Sequence, residues 1–163
     1  MMSSNRQPIR NSLRRSGFTL AEVVIVVLIM SLAASVTIPR WANAVQSRRV
    51  FNAATRIAAD LNRAQSAAYH RSASITVTFA VSSSQYTLGS ITNMDRKSQT
   101  STTVDLTIDP YLSKLTSVSF GGATSVTYSG FGLPTNGGTI VVSSGGYSKT
   151  VTVDANSGKA NVQ

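Results

Sequence analysis

Gly17-Phe18-Thr19-Leu20-Ala21-Glu22-Val23-Val24-Ile25-Val26-Val27-Leu28-Ile29-Met30 decides how the rest of the chain is read. From Phe18 to Ile38, 21 residues carry a single charge, Glu22, and Gly and Pro are absent until Pro39. As a helix this stretch extends about 32 Å at ~1.5 Å per residue, matching the roughly 30 Å hydrocarbon thickness of a bilayer. A buried core helix this uniformly apolar would need a larger domain than the 125 residues that follow. A carboxylate in hydrocarbon costs roughly 2.5–3.5 kcal/mol on insertion scales, so Glu22 calls for a partner of opposite charge.

Arg6, Arg10, Arg14 and Arg15 precede the span, with no acidic residue among them. Positive flanks stay in the cytoplasm, which puts the amino end inside and everything after Pro39 outside. A secretory signal also has a basic start and an apolar centre, with small residues at a cut beyond it. Ala33-Ala34-Ser35 offers such a site. Against it stands Gly17, a small residue placed before the apolar run, with Phe18 and Glu22 behind it.

Gly17-Phe18-Thr19-Leu20-Ala21-Glu22, with Pro39 twenty-two residues after Gly17, resembles the processing motif of type IV prepilins and type II secretion pseudopilins. The resemblance covers about the first quarter of the chain. It implies that a membrane prepilin peptidase cuts between Gly17 and Phe18 and methylates the new amine of Phe18. It further implies that Glu22 neutralises the terminal amine of a neighbouring subunit during filament assembly, and that Pro39 bends the helix. The chemistry of the residues is compatible. A carboxylate in a bilayer is either protonated or relieved by an ammonium, and a cut after Gly17 makes an ammonium at Phe18. Pairing between staggered subunits would favour association over the isolated monomer.

The 163 residues suffice for an anchor plus one modest domain. There is no cysteine, which excludes a disulfide framework, a thiolate nucleophile and a thiolate metal site. The formal charge of +9 suggests nucleic acid until it is divided along the chain. Loss of the four leader arginines leaves eleven basic against six acidic residues, or +5. Most of that excess lies between Arg40 and Arg71, where Arg40, Arg48, Arg49, Arg56, Arg63 and Arg71 face only Asp60.

From Trp41 to about Tyr69 the period is helical. Val50, Ala54, Ile57, Leu61, Ala64 and Ala68 recur at steps of four and three, an apolar stripe that needs a cover. With the span this predicts a helix of about fifty residues bent near Pro39. Arg49, Arg56 and Arg63 repeat every seven residues on another flank. They read as a solvated or inter-subunit face; with Arg48 they also read as anion contacts for lipid headgroups or DNA. Aromatic residues for stacking on bases are few there, Phe51 and Tyr69.

After Arg71 the period alternates. Ile75–Val81, Gln85–Ile91, Thr102–Ile108, Leu115–Phe120, Ser125–Tyr128, Thr139–Ser143 and Tyr147–Asp154 read as strands separated by Gly- and Asn-rich turns. Such short runs imply antiparallel sheets, and polar Ile91–Thr103 reads as a mobile loop. The expected class is α+β, in four parts: a cleaved leader (1–17), a membrane or filament-core helix (18–38), an amphipathic helix (39–71) and a β domain (72–163). Phe131-Gly132-Leu133-Pro134, Gly137–Val142, Lys149–Asp154 and Gly158 resemble the terminal β region of H-type minor pseudopilins and FimT-like minor pilins. Some FimT-like proteins of DNA uptake end in Gly-Arg-x-Arg. Here Gly158-Lys159-Ala160-Asn161 keeps one basic residue, which weakens that implication.

No catalytic constellation emerges. His70 is the sole histidine, at a helix end. No Gly-x-Ser-x-Gly elbow occurs. Gly145-Gly146-Tyr147-Ser148-Lys149-Thr150 lacks the Gly before Lys and the following helix of a phosphate loop. Asp105 and Asp109 fall short of the six to eight oxygens calcium prefers. The sequence therefore reads as a non-enzymatic assembly subunit, without cofactor or metal. By the resemblance it is a minor pseudopilin of a type II secretion pseudopilus, in the inner membrane and then in a periplasmic filament. Its partners would be prepilin peptidase, other pseudopilins or pilins, an inner-membrane assembly platform and membrane lipid. The alternative is a minor type IV pilin that binds DNA, through Arg48, Arg49, Arg56, Lys149 or Lys159.

Overall fold

A computed structural model describes residues 17–89, 91 and 101–163, without the side chains of 36–40. The leader arginines, the side chain of Pro39 and most of the polar 91–103 loop lie outside the described residues. Helix α1 runs Leu20–Arg71. The chain divides into two compact units, Met1–Pro39 and Arg40–Gln163, each described by itself.

In the second unit the stripe expected from the helical period is the buried face. Val50, Ala54, Ile57, Leu61, Ala64 and Ala68 are all buried, widened by Ala53 and Ala58. Alanines on this face let the helix lie close to the sheets, while Ile57 and Leu61 fill the space between them. The helix ends in a Schellman motif: Ser72 takes φ +48°, its amide donates to Tyr69 and the Ala73 amide donates to Ala68. Gly130 backs onto this turn. A Cβ there would sit 2.8 Å from the Ser72 carbonyl carbon, so only glycine fits.

The cover is two four-stranded antiparallel sheets. The first has the order β3-β2-β1-β5, with β1 Ile75–Ala80, β2 Gln85–Leu88, β3 Thr102–Asp105 and β5 Ser125–Tyr128. The second has the order β4-β6-β7-β8, with β4 Lys114–Ser119, β6 Gly138–Ser144, β7 Tyr147–Val153 and β8 Ala160–Val162. Ile75, Val77 and Phe79 point inward from β1, in step with the alternation of the sequence. Ile140, Val142, Val151 and Val153 do the same from β6 and β7. The Phe79 ring lies 5.6 Å from that of Tyr86 and 5.9 Å from that of Phe120, an aromatic row inside the core.

Two strands stop earlier than the sequence suggests. β3 ends at Asp105 because its carboxylate accepts from the amide (2.8 Å) and hydroxyl (2.6 Å) of Thr107, an Asx turn that leaves the ladder. β2 ends at Leu88, and Ile91 is buried outside the strand. β8 was not foreseen; its three residues are too few to show a period.

Candidate functional site

Gly17, Phe18 and Thr19 precede the helix in non-helical, exposed backbone. Thr19 is the N-cap: its hydroxyl accepts from the Glu22 amide at 3.2 Å, and its carbonyl accepts from Glu22 and Val23 at 3.1 and 3.2 Å. Thr19 and Glu22 thus stand at the spacing of a capping box, and the carboxylate also lies at the positive end of the helix dipole. The Thr-x-x-Glu spacing is the signal that sequence reasoning passed over. Among the described residues the Glu22 side chain has no hydrogen-bond or ion-pair partner. Together Gly17, Phe18, Thr19 and Glu22 line one shallow open depression.

Among the described residues nothing crowds Gly17. A Cβ built there meets nothing within 4 Å. Phe18, 81% exposed, likewise packs on nothing.

Along the following two turns Val23, Val24, Ile25, Val26, Val27, Leu28, Ile29 and Met30 are exposed on every side, the least of them, Val26, by 47%. Ser31 and Ser35 turn their hydroxyls back onto the carbonyls of Leu28 and Leu32 at 2.8 Å, which satisfies them without water. Among the described residues no helix is long and apolar enough to cross a membrane. The described side chains of this stretch end at Ser35, whereas the apolar sequence continues to Ile38.

The arginine series is not uniform. Arg56 donates through Nε to Asp60 at 2.9 Å, one helical turn on. Asp60 is buried and also accepts from the Tyr86 hydroxyl at 2.6 Å, which ties the helix to β2. Burial, and then the Asp60 charge, push the Tyr86 phenol well above its ordinary value. Arg49 and Arg63 are partly buried, and Arg48 is exposed. Lys159 stands next to Ala160, whose amide and carbonyl bond Asn62 at 2.9 and 3.1 Å. Asn62 is fourteen residues from Arg48, about 21 Å along a helix, so Lys159 does not share a patch with Arg48.

Three polar helix residues escaped the sequence reading. Asp60 was taken only as a lone acid among arginines. Asn62 closes the outward edge of β8 with two hydrogen bonds. Gln65 donates to the carbonyls of Gly132 (2.9 Å) and Ser157 (2.6 Å), fastening two turns. Asp105, weighed for calcium, accepts from Gln85 and Thr107, and these bonds hold it below the usual carboxylate range. Gly145-Gly146 is the two-residue turn of the β6–β7 hairpin, both with positive φ.

Residues 53–158 match the family model of the type II transport protein GspH. Residues 12–38 match the prokaryotic N-terminal methylation motif. No curated protein and no solved structure matches the chain.

Proposed function

The chain belongs to the type II transport protein GspH family, a type IV pilin-like minor pseudopilin with the methylation motif of proteins cut by prepilin peptidase, and from that premise we propose a residue-level mechanism of assembly. The peptidase hydrolyses the Gly17–Phe18 bond and methylates the amine of Phe18. Segment 18–38 holds the precursor in the inner membrane, with the leader in the cytoplasm and the β domain in the periplasm. Glu22 then meets the amine of Phe18 on a neighbouring subunit and sets the axial register. The exposed aliphatic helix moves from lipid into the filament core, on an inner-membrane platform that serves protein secretion.

The observation that carries this reading is the pairing of an unpacked Gly17 with an unpartnered Glu22 at one exposed helix start. Glycine stands where no described neighbour crowds it, as suits a narrow peptidase site. Among the described residues the Glu22 carboxylate has no counter-ion, which supports its taking one from a neighbouring subunit. The DNA-binding alternative is weakened by the Arg56–Asp60 pair and by the distance between Arg48 and Lys159.

Mass spectrometry of protein from cells with a working prepilin peptidase tests the cut. The amino terminus should be methylated Phe18, and Gly17→Trp should leave the full precursor in the membrane. Glu22→Ala should be processed normally yet be depleted from cross-linked pseudopili. A normal cut in Gly17→Trp, or full recovery of Glu22→Ala, overturns the corresponding role.

A further inference from the structure

The β6–β7 hairpin reaches back to the start of the helix in the Arg40–Gln163 unit. A Cβ at Gly145 would collide with the Gln46 side-chain amide, so the hairpin tip is seated at the level of Gln46. That is six residues, about 9 Å, from Arg40, which directly follows the apolar stretch. Ser144 Oγ donates to the Leu112 carbonyl at 2.9 Å and fixes the turn before β4 to the same tip. Strand register then places Lys114 opposite Ser143, and Lys149 opposite Val142. Arg48 and Arg49 stand two and three residues beyond Gln46, and helical side chains lean toward the amino end of the helix. Three segments, α1, β4 and β7, thus deliver four cations to one end of the unit.

The described carboxylates of this unit have other surroundings. Asp60 is buried against Tyr86, and Asp105 is bonded to Gln85 and Thr107. Asp109 lines a shallow pocket with Arg56 and Tyr111, and Asp154 follows the far end of β7. Among the described residues none of the four cations is ion-paired. Trp41, the only tryptophan, is 74% exposed at this end, and Tyr147 is half-exposed at the hairpin tip. Exposed aromatics with unpaired cations are the surface chemistry of a membrane interface.

We propose that this end of the domain is a lipid-facing foot, in which the hairpin tip around Tyr147, Lys114 and Lys149 rests with Trp41, Arg48 and Arg49 on an anionic phospholipid surface. The inference rests on the reading of 18–38 as a membrane anchor. It adds a second, reversible footing for the β domain that must be released as the subunit leaves the bilayer. Each cation near such a surface contributes about fivefold to the contact equilibrium.

The chain has no cysteine, so single labels are clean. Full-length Tyr147→Cys, with Ser148→Cys as a second site, carries an environment-sensitive fluorophore. Each is reconstituted into phosphatidylcholine vesicles, with or without one-third phosphatidylglycerol, containing headgroup-quencher lipid. Phe131→Cys, on a turn held by Gln65, is the distant control. Quenching at the tip labels should rise at least ~3-fold with phosphatidylglycerol and fall back when Arg48, Arg49, Lys114 and Lys149 are changed to Ser, or in high salt. The Phe131→Cys label should stay unquenched. Tip labels no more quenched than the control, in protein that resists carbonate extraction, overturn the foot and leave the anchor standing. Protein removed by carbonate overturns both. A tip label that responds to added duplex DNA but not to phosphatidylglycerol overturns the lipid assignment in favour of nucleic acid.

Discussion

Ile25 and Ile57 stand on the same helix, thirty-two residues apart; the first is 58% exposed and the second fully buried. The contrast extends to their neighbourhoods. Around Ile25 the helix is almost wholly Val, Ile and Leu, and none of it is covered. Around Ile57 it is largely Ala, and the face toward the sheets is closed. Residues 23–30 are exposed among the described residues, while the leaner half is packed by two sheets. Apolar surface left bare in one segment and completed in the other supports the proposal that the first segment meets lipid or other subunits.

The two carboxylates of the helix repeat the lesson. Asp60 receives hydrogen bonds from Tyr86 and Arg56 within the chain. Glu22 has a local cap but no side-chain partner among the described residues. One acid is part of the fold and the other is offered outward.

The comparison breaks most easily on the isoleucines. Ile57→Ala removes buried volume between helix and sheets and should destabilise the Arg40–Gln163 unit by about 2–5 kcal/mol. Ile25→Ala should leave the same unfolding transition within about 0.5 kcal/mol. Urea denaturation followed by circular dichroism measures both. Similar shifts for the two variants would mean that the aliphatic half is covered by the domain after all.

Asp60 sharpens the contrast with Glu22. Asp60→Ala leaves the buried Tyr86 hydroxyl unsatisfied, while Arg56, 43% exposed, recovers water. The expected loss is about 2–3 kcal/mol, most of it the unsatisfied hydroxyl and the cavity. Glu22→Ala should alter the same transition by no more than about 0.5 kcal/mol. An equal loss at both positions would make Glu22 a structural acid and remove the ground for its role between subunits.

What the sequence discloses follows the range of the interactions. The buried helix face was legible because 3.6-residue periodicity is local, and Val50, Ile57 and Leu61 stand out against polar neighbours. Gly17, Phe18 and Glu22 were legible as a spaced motif, and they lie within the stretch that matches the methylation motif. The strands were legible wherever alternation ran for four residues or more. Three kinds of feature were not. β8 is too short to have a period. The end of β3 is set by one Asx turn at Asp105. Asp60, Asn62 and Gln65 look like solvated helix positions, and only folding brings Tyr86, Ala160 and Gly132 to them from across the sequence. The same long-range closure takes Arg56 out of the series of arginines that spacing alone had grouped.

Asn62 measures how much of the packed half depends on such closure. It supplies the outward edge of β8 with both partners of a missing strand neighbour. Asn62→Ala should cost about 1–2 kcal/mol and raise amide exchange at Ala160 far more than at Val151 in the centre of β7. Uniform exchange across the sheet would show that the bond is incidental.

The smallest effect expected has the opposite sign and comes from Tyr128. Its hydroxyl is buried in β5 without a hydrogen-bond partner among the described residues, whereas Tyr86 donates to Asp60. Tyr128→Phe discards a desolvated group that gains nothing, so stability at neutral pH should stay level or rise by up to about 1 kcal/mol. Tyr86→Phe should lower it by about 1–2 kcal/mol. At alkaline pH the two variants should agree. Burial raises both phenols above the ordinary value of 10.0, so the folded chain keeps protons that the unfolded chain releases. Their contribution is therefore fully present below about pH 10 and is lost as pH rises beyond it. Either Phe variant should flatten that decline in urea titrations above pH 10, although only one of them weakens the protein at pH 7. A Tyr128→Phe variant as damaged at neutral pH as Tyr86→Phe would mean that its hydroxyl has a partner.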